Sequence, residues 1–236
     1  MEKFINILKK WNIDISELQK NQFIRYYEML VETNKVMNLT SITEFDEVLE
    51  KHYLDSIALG SVTDLTADLK IIDVGTGAGF PGIPLKIAFP NLKVQLVDSL
   101  NKRVNFLNDV IEILGLENIS AMHGRAEDVG RMKEHREAYD ICVSRAVANL
   151  ATLSELCLPF VKVGGRFVSY KSGNIEEELQ GSKKAIKILG GDKVDVSRFT
   201  LPNSEAGRTF VTINKAISTP SKYPRKPGIP GKKPIL

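Results

Sequence analysis

The sequence predicts an α/β protein: a Rossmann-like, seven-stranded, mostly parallel sheet with an antiparallel last strand pair, behind an N-terminal helical extension. Three observations carry this. Short β-branched runs alternate with helical stretches from residue 70 onward, and strands spaced by helices imply right-handed crossovers and parallel pairing. The first of these runs empties into three alternating glycines, Gly75, Gly77 and Gly79. The last two runs, at 193–199 and 208–214, are joined only by a turn-rich string, LPNSEAGR, which predicts a hairpin at the sheet edge.

Taken in order, residues 1–69 read as the helical extension. Phe4, Ile7, Leu8 and Trp11 recur at helical spacing, as do Phe23, Tyr26, Tyr27, Leu30 and Val31. A third helix is expected from Thr43, with Asp46 three positions on in the manner of a capping box, running towards Leu59. Residues 34–40 break the period and read as a turn. The sheet core spans 70–215, with strands at 70–74, 93–97, 118–122, 139–143 and 165–170 before the hairpin, and helices such as 101–114 and 148–161. The segment 216–236 holds five of the ten prolines without periodicity and is expected to be an extended or mobile basic tail.

Composition narrows the function. A chain of 236 residues, 43% apolar and 26% charged, can build a core without disulfides and is not globally disordered. No apolar run approaches the ~18 residues of a membrane span, and the mixed-charge start is unlike a signal peptide. Cys142 and Cys157 sit in apolar strings without a CxxC and read as buried thiols; with three histidines they make no zinc cluster, so no metal is expected. A reducing cytoplasm is the expected location, and a monomer the expected state. Beyond Glu205 there is no acidic residue, and 206–236 carry seven positive charges, leaving 25 basic against 29 acidic groups in the first 205 residues. Such polarity suits a polyanionic partner, although a solvated terminus would look the same.

The glycine loop, residues 71–82, is the strongest local signal. Glycines allow positive φ and close approach of a ligand to the backbone. Gly77-x-Gly79-x-x-Gly82 formally matches a dinucleotide fingerprint, but the strand ends at Val74, so that fingerprint starts two residues late. Asp73, just before the first glycine, would crowd a pyrophosphate yet could serve the ammonium of a methionine moiety. Asp-x-Gly-x-Gly-x-Gly is the usual loop for S-adenosylmethionine, and a seven-stranded sheet with an antiparallel end is the class I methyltransferase arrangement. Asp98, at the tip of the second strand, suits ribose hydroxyls or, alternatively, the start of the helix from Asn101. Ala126, Glu127 and Asp128 follow the third strand, where such enzymes contact adenine; the two acids would also favour a helix start there. Arg145 follows the fourth strand, at the carboxyl edge of the sheet, as an orienter of ligand or as a structural ion pair.

With these stations in place, the chain closely resembles the ribosomal RNA small subunit methyltransferase G (glucose-inhibited division protein B) family. The resemblance runs over nearly the whole length, through Asn38-Leu39-Thr40, His52-Tyr53-Leu54-Asp55-Ser56, the loop at 73–85, Arg125-Ala126-Glu127, Ser144-Arg145-Ala146-Val147-Ala148, Gly207-Arg208 and Tyr223-Pro224-Arg225-Lys226. It implies transfer of a methyl group from S-adenosylmethionine to N7 of a guanine in the decoding region of 16S rRNA. It also implies cofactor contacts from Gly75 and Phe80, with Ala126 and Glu127 at the adenine and Arg145 closing the site. Lys102, Arg125, Lys171 and Arg208 match basic positions for cofactor or RNA, and Arg225 and Lys226 supply tail charge.

The chemistry is consistent with that target. Neither cysteine lies in a Pro-Cys loop, as C5 methylation of a pyrimidine requires, and the string after the fourth strand is not the Asn-Pro-Pro-Tyr type used on exocyclic amines. N7 of guanine loses no proton on methylation, so no general base is required and no catalytic acid or base is assigned. His52 and Asp55 share a helical face; a dyad is conceivable, with packing or RNA contact as the other reading. The competing functions are a small-molecule methyltransferase of the same fold and a nicotinamide-dependent oxidoreductase.

Overall fold

The computed structural model describes residues 1–145, 148–173, 175–202 and 207–236. Its centre is a seven-stranded sheet of order β3-β2-β1-β4-β5-β7-β6. The strands are β1 (Lys70–Val74), β2 (Lys93–Asp98), β3 (Ile119–His123), β4 (Tyr139–Ser144), β5 (Val161–Ser172), β6 (Gly191–Thr200) and β7 (Gly207–Lys215). β1 runs parallel to β2 and β4 on either side, and β4 parallel to β5. Only β7 is reversed, antiparallel to both β5 and β6. The expected architecture is therefore the observed one. Residues 203–206, where a turn is expected, and the motif residues Ala146 and Val147 lie outside the described residues.

Chain order makes the site. β1 sends its connection towards β2 and β4 sends its own towards β5, so the loops at their carboxyl ends part and leave a crevice at the topological switch point. Ser144 Oγ donates to the carbonyl of Val74 at 2.8 Å and ties the two strand ends together beneath it.

The N-terminal helices α1 (Glu2–Lys10) and α2 (Glu17–Met37) bury Phe4, Ile7, Leu8, Phe23, Tyr26 and Leu30 in the same core as Ile71 and Leu96 of the sheet and Ile83 of the helix after the glycine loop. Ser16 caps α2 in a reciprocal box with Gln19, and Gln19 Nε2 also reaches the carbonyl of Ile87 at 2.6 Å. Two local expectations fail. Residues 34–37 are helical, because α2 continues to Met37 and stops only where Asn38 turns left-handed at φ 50°, a conformation asparagine tolerates. The third helix has no capping box at Thr43: α3 (Phe45–Val48) begins after Glu44 and passes into a π-helical turn, Leu49–Leu54, then α4 (Asp55–Ile57) and a 3₁₀ turn, Ala58–Ser61.

On the sheet, α5 (Gly82–Ala88) follows the glycine loop, α6 (Asn101–Ile113) follows β2 and α7 (Ala126–Val129) follows β3. The second core cluster gathers Val129 of α7 with α8 (Leu150–Cys157) and α9 (Glu176–Ile188), packed on Phe167, Val211 and Ile213. The carboxyl-terminal segment departs from the expected extended or mobile tail. It lies against α7 and α8 and ends in a short helix, α10 (Ile229–Lys232), held by partners in the body that the tail's own string does not reveal.

Candidate active site

A crevice of about 710 Å³ opens at the switch point, floored by the glycine loop and walled by the ends of β2 and β4 and by α7. Gly75, Gly77, Phe80, Asp98, Ala126, Glu127 and Arg145 all line it. The sequence thus brought together residues from four separate loops. Gly77 has φ +62° and open space where a Cβ would point. Its amide donates to Asp98 Oδ2 at 2.9 Å, and Asp98 Oδ1 accepts from the Leu100 amide at 2.9 Å. Asp98 is thus both crevice wall and brace of the turn before α6.

Two expected ligand residues sit elsewhere. Gly79 does not line the crevice; at φ +103°, its Cβ position falls 2.7 Å from the Tyr26 hydroxyl and 2.5 Å from Ile83, so the glycine is required by packing of α2 on the loop. Asp73 is fully buried behind the loop, where Oδ2 accepts from Thr76 Oγ1 at 2.7 Å and the Gly82 amide at 2.8 Å. Its Oδ1 has no partner among the described residues. Burial pushes its carboxyl up to about 6 against those hydrogen bonds. A strand-end position alone does not distinguish a carboxylate facing ligand from one facing the turn.

The roof was not anticipated. Thr40 and His52, from the N-terminal extension, line the crevice. His52 stacks on Phe80 with ring centroids 4.5 Å apart, and its Nε2 lies 2.8 Å from Thr40 Oγ1. Its Nδ1 faces Arg145 at 3.4 Å. A guanidinium only donates, so Nδ1 must accept and Nε2 carry the proton. Burial first, and then the Arg145 charge, push this imidazole down to about 3. His52 and Asp55 are therefore no dyad: the histidine turns to Thr40 and Arg145, and the carboxylate to two arginines.

Those arginines mark a second cavity, of about 640 Å³, which shares His52 and Arg145 with the first. Asp55, 4% exposed, accepts from Arg145 Nη1 at 2.8 Å and from Arg208 Nε at 2.9 Å. Arg145 also lies over the Phe80 ring, 5.0 Å from its centroid. Lys171 lines the second cavity and bonds Glu178 and the Ala148 carbonyl, each at 2.6 Å; Lys51 and Phe199 line it too. Of the other expected basic contacts, Arg125 is at the crevice, Lys102 is exposed on α6 outside both cavities, and Lys226 is exposed. Arg225 is a correction: its guanidinium grips Glu155, which is fully buried, through both carboxylate oxygens at 2.9 and 2.6 Å, so it is committed internally. Arg103, 3.5 Å from Asp98, was not foreseen at the crevice.

The sequence model described as rRNA small subunit methyltransferase G matches residues 19–206. The chain belongs to this family. It is 54% identical over 229 residues to the ribosomal RNA small subunit methyltransferase G of Staphylococcus saprophyticus, covering 97% of this chain and 95% of that one. It is 52% identical over 233 residues to that of Lachnoclostridium phytofermentans, covering 99% and 96%. Solved structures with the same fold include M. jannaschii TYW2 in complex with AdoMet, at TM-score 0.55 and 16% identity over 73% of this chain and 77% of that one. A SAM-dependent O-methyltransferase from Thermotoga maritima matches at TM-score 0.53 and 19% identity over 80% and 71%. Membership of the methyltransferase G family sets aside the nicotinamide-dependent alternative. Among the described residues no helix is long and apolar enough to cross a membrane, and no group of three metal-ligating side chains gathers.

Proposed function

We propose that this chain transfers a methyl group from S-adenosylmethionine to N7 of a guanine in 16S rRNA. The observation that carries the proposal is the pair of cavities separated by Arg145 and His52. The first suits a nucleoside cofactor: its volume is ample, Gly77 leaves room beside the backbone, and the Asp98 and Glu127 carboxylates line it. Asp98 would hold the ribose hydroxyls and Glu127 the adenine amine, with Gly75, Phe80 and Ala126 shaping the walls and Asp73 acting through the loop it braces. When bound, the cofactor supplies a methyl group on a positively charged sulfur.

The second cavity suits a nucleotide extruded from rRNA, with Lys51, Lys171 and Arg208 for phosphate and Phe199 for stacking. The side chains between the two cavities orient and do not exchange protons: Arg145 stays charged, and His52 is neutral and a poor base. That favours an acceptor with a free lone pair, such as N7, over an amine that must lose a proton. The chain's contribution is then mostly alignment, which can be worth effective molarities of about 10⁵ M or more.

The test is methylation of 16S rRNA from cells lacking the protein, followed by nuclease digestion and mass spectrometry. One new 7-methylguanosine is expected. Methyl groups on another atom, or transfer to small molecules only, would refute the assignment.

A further inference from the structure

The carboxyl-terminal segment is built into the wall of the crevice. Two body arginines straddle it: Arg136 donates to the Thr219 and Tyr223 carbonyls at 2.7 and 2.8 Å, and Arg131 to those of Pro224 and Lys222 at 2.5 and 3.2 Å. Arg225 then locks onto Glu155 of α8 through its backbone amide, at 2.8 Å, as well as its guanidinium. Three residues on, Gly228 turns at φ +80°, and its amide donates to Glu127 Oε1 at 2.9 Å. Thr152 Oγ1 bonds the Pro230 carbonyl at 3.1 Å and closes the strap over α8.

Glu127 is 8% exposed and lines the crevice, as do Leu153 and Leu156, which flank Glu155 on α8. The strap therefore grips two crevice walls. Oε2 of Glu127 accepts no hydrogen bond from any described residue. With Oε1 committed to the strap, the carboxylate cannot spin, and one oxygen is kept for ligand.

We propose that the strap at 223–230 is a positioning element: Gly228, anchored by the Arg225–Glu155 pair, orients Glu127 to accept from the exocyclic amine of an adenine nucleoside, and so sets base selectivity. This rests on the crevice being the cofactor site. A fixed acceptor rewards an amine and repels a carbonyl in the same place, because a buried acceptor facing an acceptor goes unpaired. A freely rotating carboxylate would discriminate less.

The experiment is calorimetric titration of the full-length protein and its variants with S-adenosylhomocysteine and with S-inosylhomocysteine, which carries a carbonyl in place of the amine. Gly228→Ala has open space for its Cβ, so its effect is confined to the strained turn. Arg225→Ala releases the anchor, and circular dichroism shows whether it is folded; Gly228→Ala carries the test if it is not. Each folded variant is expected to bind S-adenosylhomocysteine about tenfold more weakly and to lose about tenfold in its preference over the inosyl analogue, the scale of one charged hydrogen bond. In a Glu127→Ala background neither change should alter affinity further. Unchanged affinity and preference in a folded strap variant, or losses that add to that of Glu127→Ala, would overturn the positioning role. Failure of the wild-type protein to bind S-adenosylhomocysteine would instead overturn the cofactor reading beneath it.

Discussion

Asp55, the first residue of α4 in the N-terminal extension, holds Arg145 at 2.8 Å from 90 residues away in sequence. The same carboxylate holds Arg208 at 2.9 Å. Its loss strands two guanidinium groups, each with side chains about one-fifth exposed. Asp55→Asn is expected to cost about 3–5 kcal/mol in urea unfolding, the scale for breaking a buried ion pair, and to reduce methyl transfer at least about a hundredfold through misalignment. Arg145→Ala leaves Asp55 paired with Arg208, so it should abolish transfer with a much smaller loss of stability.

Gly77 and Gly79 share positive φ but face different surroundings. Gly77→Ala meets open crevice space, so it should cost only about 1 kcal/mol in backbone strain while obstructing ligand and weakening S-adenosylhomocysteine binding. Gly79→Ala drives a methyl into Tyr26 and Ile83, and should lower the melting temperature further. Calorimetry and thermal melts on the two variants separate these effects.

His52 makes stability depend on pH in a defined direction. Its folded value, about 3, lies below the ordinary 6.5, so between those limits the unfolded chain binds the extra proton. Stability is complete above pH 6.5 and falls on acidification by up to about 1.4 kcal/mol per pH unit from this group. Asp73 opposes it: raised to about 6 from 3.8, it favours the folded state as pH drops through that interval. His52→Gln should therefore lose less stability than wild type between pH 7 and 5, measured by denaturant titration; parallel curves would contradict this.

The exposed tail lysines are separable from the strap's anchor. Lys222, Lys226 and Lys232 are solvent-facing, whereas Lys215 is buried and Arg225 is paired. Replacing the three lysines with glutamine should leave the melting temperature unchanged and lower the salt slope of rRNA binding by about 2, if each meets one phosphate. An unchanged slope would take the tail's charge out of RNA recognition.

Much of this molecule was legible in its sequence because the signals were local. The glycine loop, the β-branched runs and the missing helix before the last strand each report on neighbours a few residues apart, and they led to the right strand pairing and to six residues of one crevice, Phe80 being added by the family resemblance. What was hidden depended on distant partners. Arg225 reads as free charge until Glu155, 70 residues earlier, is seen to be buried beside it. Asp73 reads as a ligand group because its turn inward is decided by the Gly82 amide and Thr76. His52 shows helical spacing to Asp55, but the π-helical turn carrying it and the Arg145 approach direct the two side chains apart.

An unbroken file of rings, Phe4, Phe23, Tyr53, Tyr26 and Phe80, each within 5.6 Å of the next, runs from the first helix to the crevice wall. Packed interiors pass on displacement, so a vacancy carved at Phe4 would be felt at Phe80 and by the imidazole stacked on it. Genetic screens for lost methylation should accordingly return lesions near the amino terminus that never meet either substrate.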